Sequence, residues 1–338
     1  MSVARLTLAL LVTLATASQQ APAKREHFPN ADVLYDWVTN GRGEKMRTYV
    51  TRPKNFSAKV PAIFFVGWLS CDTMESPDPK PDDGFGILLG RLIDQSGFAT
   101  MRMDKPGVGE SQGNCGKADF HSELTGWQAA FDSMSKYDFI DLDRVFVVGL
   151  SNGGGFSPLA AGNHPVRGYI SASSWGRTWY EHMMELERRR LIAKQKSPAE
   201  VNSDVKSFAE FYSLYLIKGM TPGEVIARHP EWKDLWYDEP DGQYGRPAAF
   251  YHQLEALNLG ELWQRVSAPV LVIRGKADTI MSRADSEAIA QIVNQVHPGQ
   301  ARYLEIDGMA HDFTIDDKFD EQIVPTILLW IKEQLAAK

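Results

Sequence analysis

The strongest chemical signature in the chain is Gly149-Leu150-Ser151-Asn152-Gly153, a G-x-S-x-G pattern set directly behind the apolar run Val145-Phe146-Val147-Val148. The run reads as a strand, and Gly154 and Gly155 follow before helix-like sequence resumes. The pattern predicts a sharp strand-to-helix turn with the serine at its apex. Gly149 and Gly153 have no Cβ, so strand and helix can approach closely around Ser151. The amide of Asn152 then sits at a helix N-terminus, where negative charge is stabilised. Such a serine is suited to attack on a carbonyl, but its hydroxyl is a poor nucleophile at neutral pH and needs a base.

Eight histidines are available, and their positions separate them. His311 lies in Gly308-Met309-Ala310-His311, a loop just past the short strand pattern of Ala301–Asp307 and before a terminal helix at 322–335. His27 is near the N-terminus, His121 opens a helix, His164 precedes a proline and His297 ends a helix. His182, His229 and His252 fall in a helical stretch and, like the other four, read as surface or packing residues. The base needs a carboxylate to hold its tautomer and stabilise its charged form. Asp278 follows the apolar strand pattern of Ala268–Gly275 directly, where a loop carboxylate can reach the histidine loop. Asp307 and Asp312 are nearer in sequence, but one ends the preceding strand and the other follows His311 immediately, which suits neither to accept from its ring.

With these residues in the order Ser151, Asp278, His311, and with Arg102-Met-Asp-Lys-Pro-Gly-Val-Gly-Glu-Ser111 and Gly67-Trp68 besides, the chain resembles an α/β-hydrolase of the serine esterase and serine aminopeptidase-like kind from about residue 30 onward. The resemblance implies a mostly parallel eight-stranded sheet flanked by helices, with an inserted helical cap. It implies Ser151 as nucleophile, His311 as base and Asp278 as its partner. It also implies an oxyanion site formed by the Asn152 amide and an amide after the strand Val60–Val66. Trp68 is the first choice for that second donor and Leu69 the next. Val66 stands where such proteins often carry a histidine, and the Trp68 indole could equally be a lid on the core. The segment ending at Ser111 resembles a compact structural loop of the family, its backbone tied by Asp104 and Ser111. In the sheet order of this fold, the strands before Cys71 and Cys115 are neighbours, so a Cys71–Cys115 disulfide is sterically reasonable. Closing that loop would contribute on the order of 3–4 kcal/mol in the chain-entropy picture.

The elements that must position these residues follow from the hydrophobic pattern. Two antiparallel strands are expected within 31–52, then strands at 60–66, 98–103, 144–149 and 166–173 alternating with helices near 84–96 and 121–136. Alternation at this spacing means parallel β-α-β units. Residues 31–174 and 266–338 form the expected catalytic domain. The strand pattern lapses over 175–265, which reads as the helical cap, with Thr221 and Glu224 forming a capping box. This stretch is rich in aromatics, most of them core packing, but as a set they suggest an apolar or aromatic acyl pocket lined by Trp68, Leu69, Trp175, Trp179 and Tyr180. Arg188, Arg189 and Arg190 follow glutamates at helical spacing and read as a solvated face with ion pairs.

Residues 1–17 read as a signal peptide: a weakly basic start, an apolar run too short to span a bilayer, and an Ala15-Thr16-Ala17 cleavage pattern. Residues 18–30 read as a linker. The expected location is therefore outside the cytosol, periplasmic or secreted, where a disulfide is chemically allowed. A net charge of −7 without a large basic cluster argues against nucleic acid as a partner. No membrane span, metal or cofactor is expected. Partners are a small-molecule ester or a short peptide, and oligomeric state is left open.

These readings converge on an exported serine hydrolase cleaving a carboxylic ester through an acyl-enzyme. A serine aminopeptidase-like exopeptidase or amidase is the alternative, with Glu181, Glu185 and Glu187 available to hold a substrate ammonium. A binding protein that retains the fold without catalysis is the third reading. Haloalkane dehalogenase and epoxide hydrolase chemistry are disfavoured, since both need aspartate where Ser151 stands.

Overall fold

Buried apolar runs set the architecture: residues 62–66 and 145–148 are almost fully excluded from water, as strands covered on both faces must be. The computed structural model describes residues 25–337. The expected signal peptide at 1–17, and the linker as far as residue 24, lie outside the described residues.

A hairpin of β1 (Ala31–Thr39) and β2 (Lys45–Pro53) opens the fold. It is followed by β3 (Val60–Val66), α1 (Gly84–Ser96), β4 (Ala99–Met103), α2 (Phe120–Ser133), β5 (Ile140–Leu150), α3 (Asn152–Ala161) and β6 (Gly168–Ala172). After an insertion come β9 (Val270–Gly275), α9 (Arg283–Val296), β10 (Ala301–Ile306) and α10 (Ile323–Ala336). Between the last two lies a small hairpin, β11 (Thr314–Ile315) with β12 (Lys318–Phe319). The eight-stranded sheet runs β1-β2-β4-β3-β5-β6-β9-β10, antiparallel at β1-β2 and β2-β4 and parallel elsewhere. This is the α/β-hydrolase sheet expected from the sequence, with boundaries shifted by a few residues at most helices and strands. The elbow strand starts at Ile140, four residues before the expected 144, because Ile140 also pairs with Val60.

The insertion between β6 and β9 holds α4 (Trp179–Ala193), α5 (Pro198–Tyr212), α6 (Pro222–Arg228), the short pair β7 (Gly242–Gln243) and β8 (Arg246–Pro247), α7 (Ala248–Glu255) and α8 (Leu259–Gln264). Helices α4, α5 and α6 each start with a reciprocal capping box, from Thr178 to Glu181, Ser197 to Glu200 and Thr221 to Glu224. Each box satisfies amides that a helix start leaves unpaired. Stacked aromatics fill the interior of the insertion, for example Phe211 on Trp236 with centroids 5.2 Å apart.

The segment at 25–30 is more than a linker. Glu26 takes both Arg102 Nη atoms, at 2.8 and 2.6 Å, and accepts from the Ser76 amide. Arg102 sits fully buried in β4, and a buried guanidinium demands a counter-charge. Among the described residues no helix is long and apolar enough to cross a membrane.

Candidate active site

Strand β5 ends at Ser151, whose backbone is held at φ 53°, ψ −124°. A positive φ is uncommon for a residue with a side chain, so the surroundings must impose it. They do so by close approach: a Cβ on Gly153 would stand 2.3 Å from the Gly67 carbonyl oxygen, and one on Gly149 2.5 Å from the Gly154 Cα. Only glycine lets α3 start this near the ends of β3 and β5. The Ser151 amide is fixed on the Ala172 carbonyl at 2.9 Å.

The hydroxyl of Ser151 lies 2.9 Å from His311 Nε2, and His311 Nδ1 lies 2.9 Å from Asp278 Oδ2. Asp278 Oδ1 accepts from the amides of Ile280 and Met281, both at 2.8 Å, so the carboxylate cannot turn away from the ring. Asp307 instead pairs with Lys276 and Asp312 with Thr314 Oγ1. The histidine loop is seated by two glycines that no local pattern singles out. A Cβ on Gly275 would lie 2.0 Å from the Met309 carbonyl oxygen, and one on Gly84 1.7 Å from that of Asp312. The other histidines lie elsewhere, except one. His182 is buried at the cavity wall, its Nδ1 3.1 Å from Asp285, which also takes Arg177 at 2.6 Å. Burial by itself would raise the Asp285 carboxyl. The hydrogen bond and charge of His182, with Arg177, outweigh it and hold the group well below the usual carboxylate range.

Beside Ser151, the start of α3 meets the loop leaving β3, which brings Asn152 and Trp68 to the same cavity. No turn or loop hydrogen bond takes up the backbone N–H of either residue. The Trp68 indole stacks on Phe85 with centroids 5.0 Å apart and donates to Asp72 at 3.3 Å. The loop is tied from behind. Cys71 and Cys115 are disulfide-bonded, and the Lys105 ammonium donates to the Ser70 carbonyl. Burial, offset by Glu123, pulls Lys105 down to about 8. Arg246 of β8 contacts Cys115 Sγ and pairs with Glu123, so the insertion is anchored to this same loop. Asp104 gathers Tyr49, Thr73 and the Met74 amide, and Ser111 donates to the Asp104 carbonyl, which makes that segment the structural brace it resembled.

The cavity over Ser151 holds about 550 Å³. Trp68, Leu69 and Trp179 line it as expected. Trp175 and Tyr180 do not, and the expectation for both is corrected. Trp175 is fully buried beneath α3, its Nε1 donating to the Asn152 carbonyl at 3.1 Å, because residues this close to the end of β6 lie under the elbow helix. The Tyr180 hydroxyl donates to the Ala209 carbonyl of α5, one helical step around from the face that Trp179 presents. The lining that sequence reasoning missed includes Phe85, Leu186 and Arg190, while Tyr237 and Tyr244 come from the aromatic set of the insertion. Part of it carried a signal: Trp179, His182, Leu186 and Arg190 are spaced by 3, 4 and 4 residues, one face of α4. Arg188 alone keeps the solvated role read for the arginine run. Arg189 reaches the Thr279 and Ile280 carbonyls at 2.6 and 2.8 Å, and Arg190 faces the cavity. Among the described residues no group of His, Cys, Asp or Glu is arranged to hold a metal.

A sheet of this order with a serine at a strained strand–helix turn defines the α/β-hydrolase class. Residues 88–318 match the model of the family described as serine aminopeptidase, S33, and the chain belongs to that family. It is a serine hydrolase. No curated protein sequence matches it. Among solved structures it is similar to Est1E from Butyrivibrio proteoclasticus with ferulic acid bound, at 18% identity and TM-score 0.59, covering 89% of this chain and 100% of that one. It is also similar to acetyl xylan esterase 1 from a Thermoanaerobacterium species, at 17% identity and TM-score 0.54, covering 91% and 85%. A third likeness is to proline iminopeptidase of Mycobacterium smegmatis, at 18% identity and TM-score 0.55, covering 90% and 100%. Identities this low carry the fold alone.

Proposed function

We propose that the protein hydrolyses a carboxylic ester through an acyl-enzyme. Ser151 Oγ attacks the ester carbonyl as its proton passes to His311 Nε2, and Asp278 holds the Nδ1 proton of the imidazole. The Asn152 and Trp68 amides stabilise the tetrahedral oxyanion, with Leu69 as the neighbouring donor. The C–O bond to the alcohol breaks, and His311 returns the proton to the leaving oxygen. Water then adds to the acyl carbon, giving its proton to His311, and Ser151 leaves with a proton as the acid departs. The inserted helices cap the pocket, and its apolar and aromatic walls take an apolar or aromatic acyl group.

The observation that carries the ester reading is the pairing of the Ser151–His311–Asp278 chain with a cavity wall that, among the described residues, holds no carboxylate. An exopeptidase would need one for the substrate ammonium. Glu181 caps α4 on Thr178, Glu185 faces Arg189, and Glu187 is buried against Tyr212, Tyr237 and Arg190. Export is part of the proposal, supported by the disulfide, since such bonds persist in oxidising compartments. Amino-terminal sequencing of the protein recovered outside the cytosol, starting after Ala17, is the corresponding check.

The test is hydrolysis of p-nitrophenyl esters of short to medium acyl length, a hydroxycinnamate ester and several aminoacyl anilides, by the native enzyme and by Ser151→Ala. Ester turnover abolished in the variant is the expected result. A preference for the anilides would move the assignment to the aminopeptidase reading. Absence of any turnover, with Ser151 unlabelled by a fluorophosphonate, would revive the binding-protein reading.

A further inference from the structure

We propose that Arg190 is a specificity-determining residue: it receives a carboxylate carried by the substrate across an apolar spacer from the scissile ester. The inference rests on the ester reading and adds a substrate class to it.

Among the described residues lining the cavity, Arg190 is the side chain of permanent charge, and no lining carboxylate opposes it. Its surroundings fix it in place. The guanidinium carbon lies 3.9 Å from the centre of the Tyr237 ring, and Nη1 is 3.3 Å from Glu187 Oε1. Glu187 is nearly buried, and the same Oε1 also takes the hydroxyls of Tyr212 at 3.4 Å and Tyr237 at 3.1 Å. Shared among three donors, that oxygen binds Arg190 by one long contact. Burial also raises the Glu187 carboxyl against the pull of Arg190 and the two phenols.

The proton count on this wall singles out the guanidinium as donor. Tyr237 gives its one hydroxyl proton to Glu187, so at the 3.0 Å contact between Tyr237 and Tyr244 it accepts, and the Tyr244 proton is used there. The arginine fork carries five N–H groups; Nη1 meets Glu187, and a further hydrogen bond runs to the Tyr237 hydroxyl. The remaining fork matches a carboxylate bidentately, a geometry that an ammonium cannot reproduce. Leu186 and Trp179 share the α4 face with Arg190, and the His182 imidazole between them is turned to Asp285, so an apolar spacer fits between ester and carboxylate. An apolar wall also screens the ion pair less than water would. The fitting substrates are half-esters of dicarboxylic acids, or esters whose alcohol carries the acid.

Two substrate pairs test this. One is the mono-p-nitrophenyl ester of suberic acid against the p-nitrophenyl ester of its monoamide. The other is 4-carboxyphenyl octanoate against 4-carbamoylphenyl octanoate, which moves the charge to the alcohol side. The native enzyme should prefer the carboxylate in at least one pair by about tenfold or more in kcat/KM, through KM. The preference should shrink in high salt, and Arg190→Gln should bring it below about twofold, with Arg190→Lys between the two. Since Arg190→Gln leaves Glu187 unpaired, the double variant Glu187→Gln/Arg190→Gln provides a second, charge-balanced measurement with the same expected ratio. Equal use of both members of both pairs by the native enzyme, or a preference that survives in the variants, overturns the assignment of Arg190 alone. Failure of the native enzyme on all four esters while it turns over the shorter p-nitrophenyl esters overturns the assignment alone; failure on those as well sinks the ester reading, and the assignment with it.

Discussion

The floor and the roof of the cavity are built on different physics. The floor, at the ends of β3, β5 and β9, is positioned by backbone approaches so close that a single Cβ at Gly153, Gly275 or Gly84 would collide with a carbonyl oxygen. Its polar chain is short and fully partnered, from Ser151 through His311 to Asp278 and two amides. The roof, α4 with the loop carrying Tyr237 and Tyr244, is positioned largely by side chains: capping boxes, stacked rings and buried ion pairs, with one close backbone approach where a Cβ on Gly242 would lie 1.9 Å from the Arg246 carbonyl oxygen. Asp285 takes His182 and Arg177, and Arg246 takes Glu123. Backbone approach leaves little room for substitution, whereas side-chain packing can be rearranged. On the proposed function, the reaction is tied to the rigid part and substrate choice to the adaptable part.

Five variants sharpen or break that contrast. The largest effect belongs to the floor: His311→Ala should lower kcat by on the order of 10⁶, and Asp278→Asn by roughly 10⁴, with little change in KM. Steady-state kinetics on a p-nitrophenyl ester reads both, and a loss confined to KM would break the assignment. At the seam between floor and roof, Cys71→Ser/Cys115→Ser should cost about 4 kcal/mol of stability in the chain-entropy model. Denaturant unfolding measures it, and an unchanged midpoint would mean that Arg246 and Glu123 hold the seam unaided.

In the roof, Asp285→Asn should destabilise the native enzyme by about 3 kcal/mol near neutral pH, since His182 and Arg177 lose a buried partner. The carboxyl is depressed in the folded state, so its stabilising contribution is complete above about pH 4, where the unfolded group titrates, and is lost as pH falls through the lower folded value. The gap between native and variant should therefore narrow in acid; a gap that widens at low pH would contradict the pairing. The smallest effect is expected from Tyr180→Phe, which removes one hydrogen bond to the Ala209 carbonyl and should cost about 1 kcal/mol without altering KM. A clear rise in KM would return Tyr180 to the pocket wall.

The strands, the serine turn and the histidine and aspartate loops were legible because each depends on short stretches of sequence, whereas the order of the strands came only with the family resemblance. An apolar strand, a glycine pattern or a loop just past a strand end carries its own signature. The contacts of Trp175 and Tyr180 were not legible, although both are aromatics next to the insertion. Which way each ring faces depends on helix rotation and on what packs behind it. Trp175 went under α3 because Gly155 leaves room there: a Cβ on that glycine would come 2.7 Å from the indole nitrogen. The stripe Trp179, His182, Leu186, Arg190 was present in the helical spacing, but the spacing alone does not say which face of α4 meets the cavity.

By itself, then, the sequence pointed to the class of fold and to Ser151, Asp278 and His311 in that order, and left the bonding of Cys71 and Cys115 to the structure. Only the tertiary structure decided that Arg190 faces the cavity while Arg188 faces water, that Glu187 is buried beneath it, and that two glycines remote from Ser151 seat the histidine loop. The physical reason is range. Strand, turn and helix preferences act within a few residues, whereas the charge and shape of a cavity wall are set by elements that meet only after the chain has folded back on itself.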